Sequence, residues 1–133
     1  MATEIECEAP AERLWALVAR PDRWHEWSPY VRGAEGLGSP EVQAGARGEV
    51  ALRRGIKLPA DVTEVVSGRS WARRVDGIMV EHTVTPTEAG SRLAMTVDST
   101  GGPWSVAARL YAPVVGLIAR RIVAVAERAD HAR

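Results

Sequence analysis

One histidine lies among apolar residues in a candidate strand, and it is the clearest candidate for chemistry in this sequence. Successive side chains of a strand point to opposite faces, so the run 78–85 places His82 on the same face as Ile78, Val80 and Val84. A histidine in an apolar pocket can bond a ligand carbonyl or act as an acid or base. The alternative interpretation is a core histidine whose ring bonds a neighbouring carbonyl or hydroxyl.

The preceding run, 70–76, carries an arginine in a comparable position. Alternation places Arg73 on one face with Trp71 and Val75. An inward guanidinium can hold a ligand carboxylate or enolate with two parallel hydrogen bonds. The alternative is an arginine at the rim, whose stem covers apolar surface while its head reaches water.

Large aromatic rings are the third group of candidates, because the chain has five Trp and two Tyr but no Phe. Trp15 and Trp24 are interpreted as core residues. The remaining aromatic residues either wall a pocket for a ring-containing ligand or fill the interior; they are Trp27, Tyr30, Trp71, Trp104 and Tyr111.

Several kinds of chemistry are excluded by residue type and spacing. Cys7 is the single cysteine, so it forms no internal disulfide, and we interpret it as a small buried hydrophobic residue. The histidines at 25, 82 and 131 lack the spacing of a metal site. The sequence also lacks glycine-rich phosphate-binding motifs and a GxSxG motif, so we expect no metal and no cofactor.

The charge balance bears on partners and location. The 133 residues include 17 basic and 17 acidic side chains, which argues against binding to nucleic acid and against a role at a membrane surface. We therefore interpret the pair Arg120-Arg121 as part of a solvated helix face. No apolar run is long enough for a membrane span and no secretory signal is recognisable, so we expect a cytoplasmic protein without integral membrane association.

The elements that would position these residues can be predicted from hydrophobic periodicity and from the positions of Gly and Pro. We expect a strand at 4–8, a helix that ends before Pro21, and a second short helix carrying Trp24 and Trp27. Strands are predicted at 46–53, 60–66, 70–76, 78–85 and 91–99, with a weaker one at 31–37, joined by short antiparallel connections. A long helix over 104–130 has an apolar stripe of Leu110, Val114, Leu117, Ile118, Ile122 and Val125, and Pro113 would kink it or delay its main segment.

The sequence resembles the START-like (SRPBCC) superfamily of polyketide cyclases/dehydrases and lipid-transport proteins. The resemblance rests on IECEAPAERLWALVARPDRWHEWSPYV, on VTEVVSGRSWARRV, on GSRLAMTV and on the long final helix. It implies an α+β helix-grip fold over residues 1–133 as one ligand-binding domain. In this fold a curved antiparallel sheet of six to seven strands wraps around the C-terminal helix, with two short helices after the first strand.

The resemblance also implies an apolar cavity between sheet and helix. By analogy Asp61, Thr63 and Val65 would face it, and alternation adds Leu93, Met95 and Val97. The predicted ligand-binding set is Trp27, Tyr30, Thr63, Val65, Trp71, Arg73, Ile78, Val80, His82, Leu93, Met95, Val97, Trp104 and Tyr111.

Three functions remain open at this stage. The favoured one is binding of a small hydrophobic molecule, such as a lipid, a polyketide or another ring-containing metabolite. The second is a polyketide cyclase, aromatase or dehydratase with His82 and Arg73 as catalytic candidates, although the arginine typical of that subgroup on the strand 60–66 is missing here. The third is an interaction protein with a filled cavity. The oligomeric state, monomer or homodimer, stays open.

Overall fold

The computed structural model describes residues 2–75, 77–99 and 101–131, and the side chains of 129–131 are not described. The strands are β1 (Ala2–Cys7), β2 (Val31–Glu35), β3 (Arg47–Leu52), β4 (Lys57–Val66), β5 (Ser70–Val75), β6 (Ile78–Thr87) and β7 (Gly90–Ser99). The helices are α1 (Ala11–Ala19), a 3₁₀ helix (Pro21–Glu26) and α2 (Pro103–His131). A tight turn at Arg53–Gly55 joins β3 to β4.

All seven strands form one open antiparallel sheet in the order β1-β7-β6-β5-β4-β3-β2. This sheet and the long α2 confirm the predicted helix-grip fold. The register aligns His82 of β6 with Trp71 of β5 and with Met95 of β7. Because directly opposed residues of antiparallel strands lie on the same face, these three side chains form one row across the sheet.

The helix α2 packs on the sheet with small and branched side chains. Val115, Ala119, Ile122 and Ala126 are at most 1% exposed, and their spacing of three and four residues matches one helix face. The predicted stripe is wrong at Leu110 and Leu117, which are 73% and 61% exposed. At about 100° per residue, both lie more than about 100° around the helix from Ile122. The helix also continues through Pro113, which is exposed.

Candidate ligand-binding site

Three aromatic rings are stacked at the centre of the molecule. The Trp71 ring lies between the other two. Its centroid is 5.6 Å from that of Trp24, with an interplanar angle of 6°, and 4.3 Å from that of His82, with an angle of 9°. Trp71 and His82 are 2% and 3% exposed. Nearly parallel packing with full burial fixes the orientation of the imidazole.

The C-terminal turn of α1 anchors these rings through its backbone carbonyls. Indole Nε1 atoms of Trp24 and Trp71 both donate to the carbonyl of Val18, at 3.0 and 3.1 Å, and Nε1 of Trp27 donates to the carbonyl of Leu17 at 2.9 Å. The last carbonyls of a helix have no partner within the helix. The indole N–H groups therefore satisfy the last carbonyls of α1, while the rings fill the space between helix and sheet.

The imidazole of His82 is held neutral by its surroundings. Burial, together with a smaller effect of the nearby Arg73 cation, lowers the pKa of His82 from 6.5 to about 3. The ring Nδ1 lies 3.4 Å from the carbonyl oxygen of Trp71, an opposing influence that favours the protonated form. With Nδ1–H donating to that carbonyl, the lone pair is on Nε2.

A small chamber adjoins this stack between the sheet and α2. Its volume is about 40 Å³, which is room for a water molecule or two. It is lined by Trp24, Trp27, Ser28, Val31, Val50, Trp71, Arg73, His82, Met95, Tyr111 and Ile118. The centre of the protein is thus nearly filled, and a ligand of drug size, which needs about 300 Å³ or more, does not fit there without rearrangement.

A larger groove opens next to the chamber, between the sheet and the N-terminal half of α2. Its volume is about 350 Å³, and it is lined by Leu58, Arg73, Val75, Ile78, Val80, Trp104, Ala107 and Tyr111. Among these described residues Arg73 carries the only charge. The groove therefore combines the size of a small-molecule site with an apolar lining and one cationic group.

The groove and the chamber meet at one pair of polar side chains. Arg73 donates from Nη2 to the hydroxyl of Tyr111 at 3.3 Å. Both residues line both spaces. A molecule in the groove would consequently meet a guanidinium and a phenol at its inner end, with the imidazole of His82 behind them.

The outer wall of the groove depends on a glycine. The ring of Trp104 lies so close to Gly77 that a Cβ atom at Gly77 would overlap the indole. Gly77 is buried, whereas Trp104 is 38% exposed. The missing side chain in the β5–β6 turn is what lets the indole pack down beside the groove.

Comparison with known proteins identifies the family of this chain. Residues 1–129 match the family model described as polyketide cyclase/dehydrase and lipid transport. The chain belongs to this family.

Solved structures of similar shape support the same fold. A Mesorhizobium loti protein superposes with a TM-score of 0.78 at 17% identity, covering 96% of each chain. A Nitrosomonas europaea protein gives a TM-score of 0.74 at 13% identity over 98% of this chain and 96% of the other. DynU16, a protein of the dynemicin biosynthetic locus, gives 0.68 at 22% identity over 90% of this chain and 45% of its own. No curated protein matches in sequence.

Most of the residues predicted for the site of this family member surround the chamber or the groove. Those beside the chamber are Trp27, Trp71, Arg73, His82, Met95 and Tyr111, and those beside the groove are Arg73, Ile78, Val80, Trp104 and Tyr111. Leu93 and Val97 are buried in the core and line neither space. Tyr30 is 59% exposed and lies beside a separate groove, along residues 114–124 of α2.

The predicted inward face of β4 is wrong for Asp61 and Thr63. The buried residues there are Ala60 and Val62, while Asp61 pairs with Arg74 on the outer face. A register shift between Val62 and Glu64 interrupts the alternation.

A bulge of this kind turns the later residues of a strand to the other face. Val65 is therefore directly opposite Trp71 and half-buried against the core. Thr63 stays exposed, and its hydroxyl donates to the carbonyl of Ala72 at 3.3 Å.

Sequence reasoning missed Leu58, Val75 and Ala107 as lining residues of the groove. Val75 shares a strand face with Arg73, so alternation already contained that signal. Leu58 precedes the predicted start of its strand, and Ala107 is too small to attract attention. Their contribution follows from the three-dimensional arrangement.

The structure offers less support for chemistry at the other candidate residues. Cys7 is buried, and burial raises the pKa of its thiol above the usual value. Within the described part of the chain no group of His, Cys, Asp or Glu is arranged to hold a metal ion. In the same residues no helix is long and apolar enough to cross a membrane. Arg121 is not simply solvated, because its Nε donates to the carbonyl of Trp27 at 2.8 Å.

Proposed function

We propose that this protein binds one small, largely apolar molecule in the groove between β4–β6 and α2, with a polar oxygen of the molecule at Arg73. The observation that carries the proposal is the apolar groove of about 350 Å³ with a single charged lining residue. The family description, which includes lipid transport and polyketide cyclases, is consistent with it.

The chemistry of the lining favours a particular class of ligand. Apolar walls contributed by Leu58, Ile78 and Val80 favour an acyl chain or fused rings, because removing apolar surface from water drives binding. The guanidinium of Arg73 and the hydroxyl of Tyr111 favour a carboxylate, enolate or carbonyl at the inner end. A lipid or polyketide-like acid satisfies both requirements.

The binding proposal has better support than the two alternatives. A cyclase or dehydratase that uses His82 would need substrate at an imidazole that stacks on Trp71 beside a chamber of about 40 Å³. An interaction protein with a filled cavity accounts for that small chamber but not for the open groove next to it. We therefore place binding first.

The test compares two ligands that differ in their polar end. Decanoate and decanol are titrated into the purified protein, with tryptophan fluorescence as the readout. Decanoate should bind more tightly. Arg73→Leu should weaken decanoate by about 10- to 100-fold, the usual worth of a charge-assisted hydrogen bond, and leave decanol nearly unchanged.

Blocking variants control for binding elsewhere. Ala107→Phe should abolish binding of both ligands, because it fills the groove. Val66→Phe, on the exposed end of β4 away from the groove, should leave both affinities unchanged. Undiminished binding to Ala107→Phe, or no binding of either ligand to the unmodified protein, would overturn the proposal.

A further inference from the structure

Basic and acidic residues are strongly segregated along this chain, although its net charge is zero. The three segments 28–34, 50–60 and 103–126 contain seven basic residues and no acidic residue. The rest of the chain holds the other ten basic residues and all 17 acidic ones. The seven are Arg32, Arg53, Arg54, Lys57, Arg109, Arg120 and Arg121.

These three segments lie next to one another in the fold. The backbone N–H of Arg53 donates to the carbonyl of Tyr30 at 3.1 Å, which joins the first segment to the second. Leu58 and Trp104 line the same groove, which joins the second to the third. A further groove of about 430 Å³ runs between Tyr30 and Leu117. We call this continuous surface the basic apolar face.

The basic apolar face also collects most of the exposed apolar side chains. Eight large hydrophobic residues are exposed in the described part of the chain, and seven of them belong to these segments. They are Tyr30, Ile56, Leu58, Trp104, Val106, Leu110 and Leu117. Clustering of this kind marks an interaction surface, whereas single exposed hydrophobic residues do not.

The cations of this face are available to an external partner. In the described residues no ion pair joins Arg53, Arg54, Lys57 or Arg109 to a carboxylate. The turn that carries Arg53 and Arg54 lies at the same end of the sheet as the β5–β6 turn, where Trp104 packs on Gly77 and lines the groove.

Contrary to the expectation drawn from the net charge alone, we propose that the basic apolar face docks on an anionic phospholipid bilayer, with the groove towards the lipid. Cations attract the anionic headgroups, and exposed leucines with an interfacial Trp and Tyr suit the headgroup boundary. A second copy of the chain is a poorer partner, because a two-fold interface would set the same cations against each other. The docking proposal does not depend on what the groove binds.

The test is sedimentation with vesicles of three parts phosphatidylcholine to one part phosphatidylserine, beside vesicles of phosphatidylcholine alone. The protein should sediment with the mixed vesicles, less so at high salt. Each arginine at an anionic surface contributes about fivefold in partitioning, so Arg53→Gln with Arg54→Gln should lower it roughly 25-fold. Leu110→Ser should lower it about tenfold through lost apolar burial.

The matched control removes two arginines at the opposite end of the sheet. Arg47 and Arg69 are both exposed there, and Arg47→Gln with Arg69→Gln should leave vesicle binding unchanged. Equal loss in both double variants would show that overall charge alone is responsible, and would overturn the proposal. Absence of binding to the mixed vesicles at low salt would overturn it too, as would binding to polyglutamate without binding to vesicles, which would identify an acidic protein as the partner. Decanoate titration without vesicles reports separately on the groove.

Discussion

Replacing His82 with Phe should remove a pH dependence from the stability of this protein. The imidazole is 3% exposed and stacks on Trp71 at 4.3 Å. Phe keeps an aromatic ring on Trp71 but has no group that titrates. The variant therefore isolates the consequence of burying a neutral histidine.

The magnitude follows from the pKa of His82, which is about 3 in the folded protein against 6.5 for an unperturbed histidine. Between these pH values the unfolded chain binds more protons than the folded protein, so the free energy of unfolding falls as pH falls. Above pH 6.5 this contribution vanishes. Integrated from neutral pH down to pH 5, the decrease in the free energy of unfolding is about 2 kcal/mol.

The assay is urea denaturation of the unmodified protein and of His82→Phe at pH 7.5 and at pH 5. Between pH 7.5 and pH 5 the free energy of unfolding should fall by about 2 kcal/mol more in the unmodified protein than in the variant. Glu26, whose pKa is lowered by its hydrogen bond to Arg23, contributes equally to both proteins, so it cancels in the comparison. Equal losses in the two proteins would refute a buried, neutral His82.

Two further predictions concern the aromatic residues. Trp71→Phe should lower the free energy of unfolding by about 2 kcal/mol, since it removes the bond from Nε1 to the carbonyl of Val18 and part of a buried ring; urea denaturation measures it. Gly77→Ala should displace the Trp104 ring and shift its indole N–H resonance in an NMR spectrum. Gly116→Ala is the control, because a Cβ there meets nothing within 4 Å and the resonance should not move.

Much of the fold was predictable because the hydrophobic periodicity and the positions of Gly and Pro indicate the same element boundaries along the chain. The alternation in β6 predicts the burial of Val80, His82 and Val84, all at most 3% exposed. Gly and Pro separate the strands at intervals that allow only short antiparallel connections. Where one physical rule acts on a continuous run, the sequence is a sufficient guide.

One error arose in β4, where the analogy with the family assumed unbroken alternation along the strand. The shift between Val62 and Glu64 reverses the inward face of β4, and nothing in the residues of that strand signals it. The stacking of Trp24 on Trp71 joins residues far apart in the chain and closes the cavity that the fold alone would suggest. Pairings across such distances depend on the complete fold rather than on any one segment.

The position of the groove follows from how unevenly α2 packs along its length. Between residues 115 and 126 the side chains that face the sheet are almost fully buried, so sheet and helix lie close together there; they are Val115, Ala119, Ile122 and Ala126. Between Trp104 and Tyr111 a single residue, Ala108, is buried. Straight helices and twisted sheets match over a limited length, and the mismatch is concentrated in this N-terminal half. A ligand in the groove would supply the apolar contacts that this half of α2 lacks.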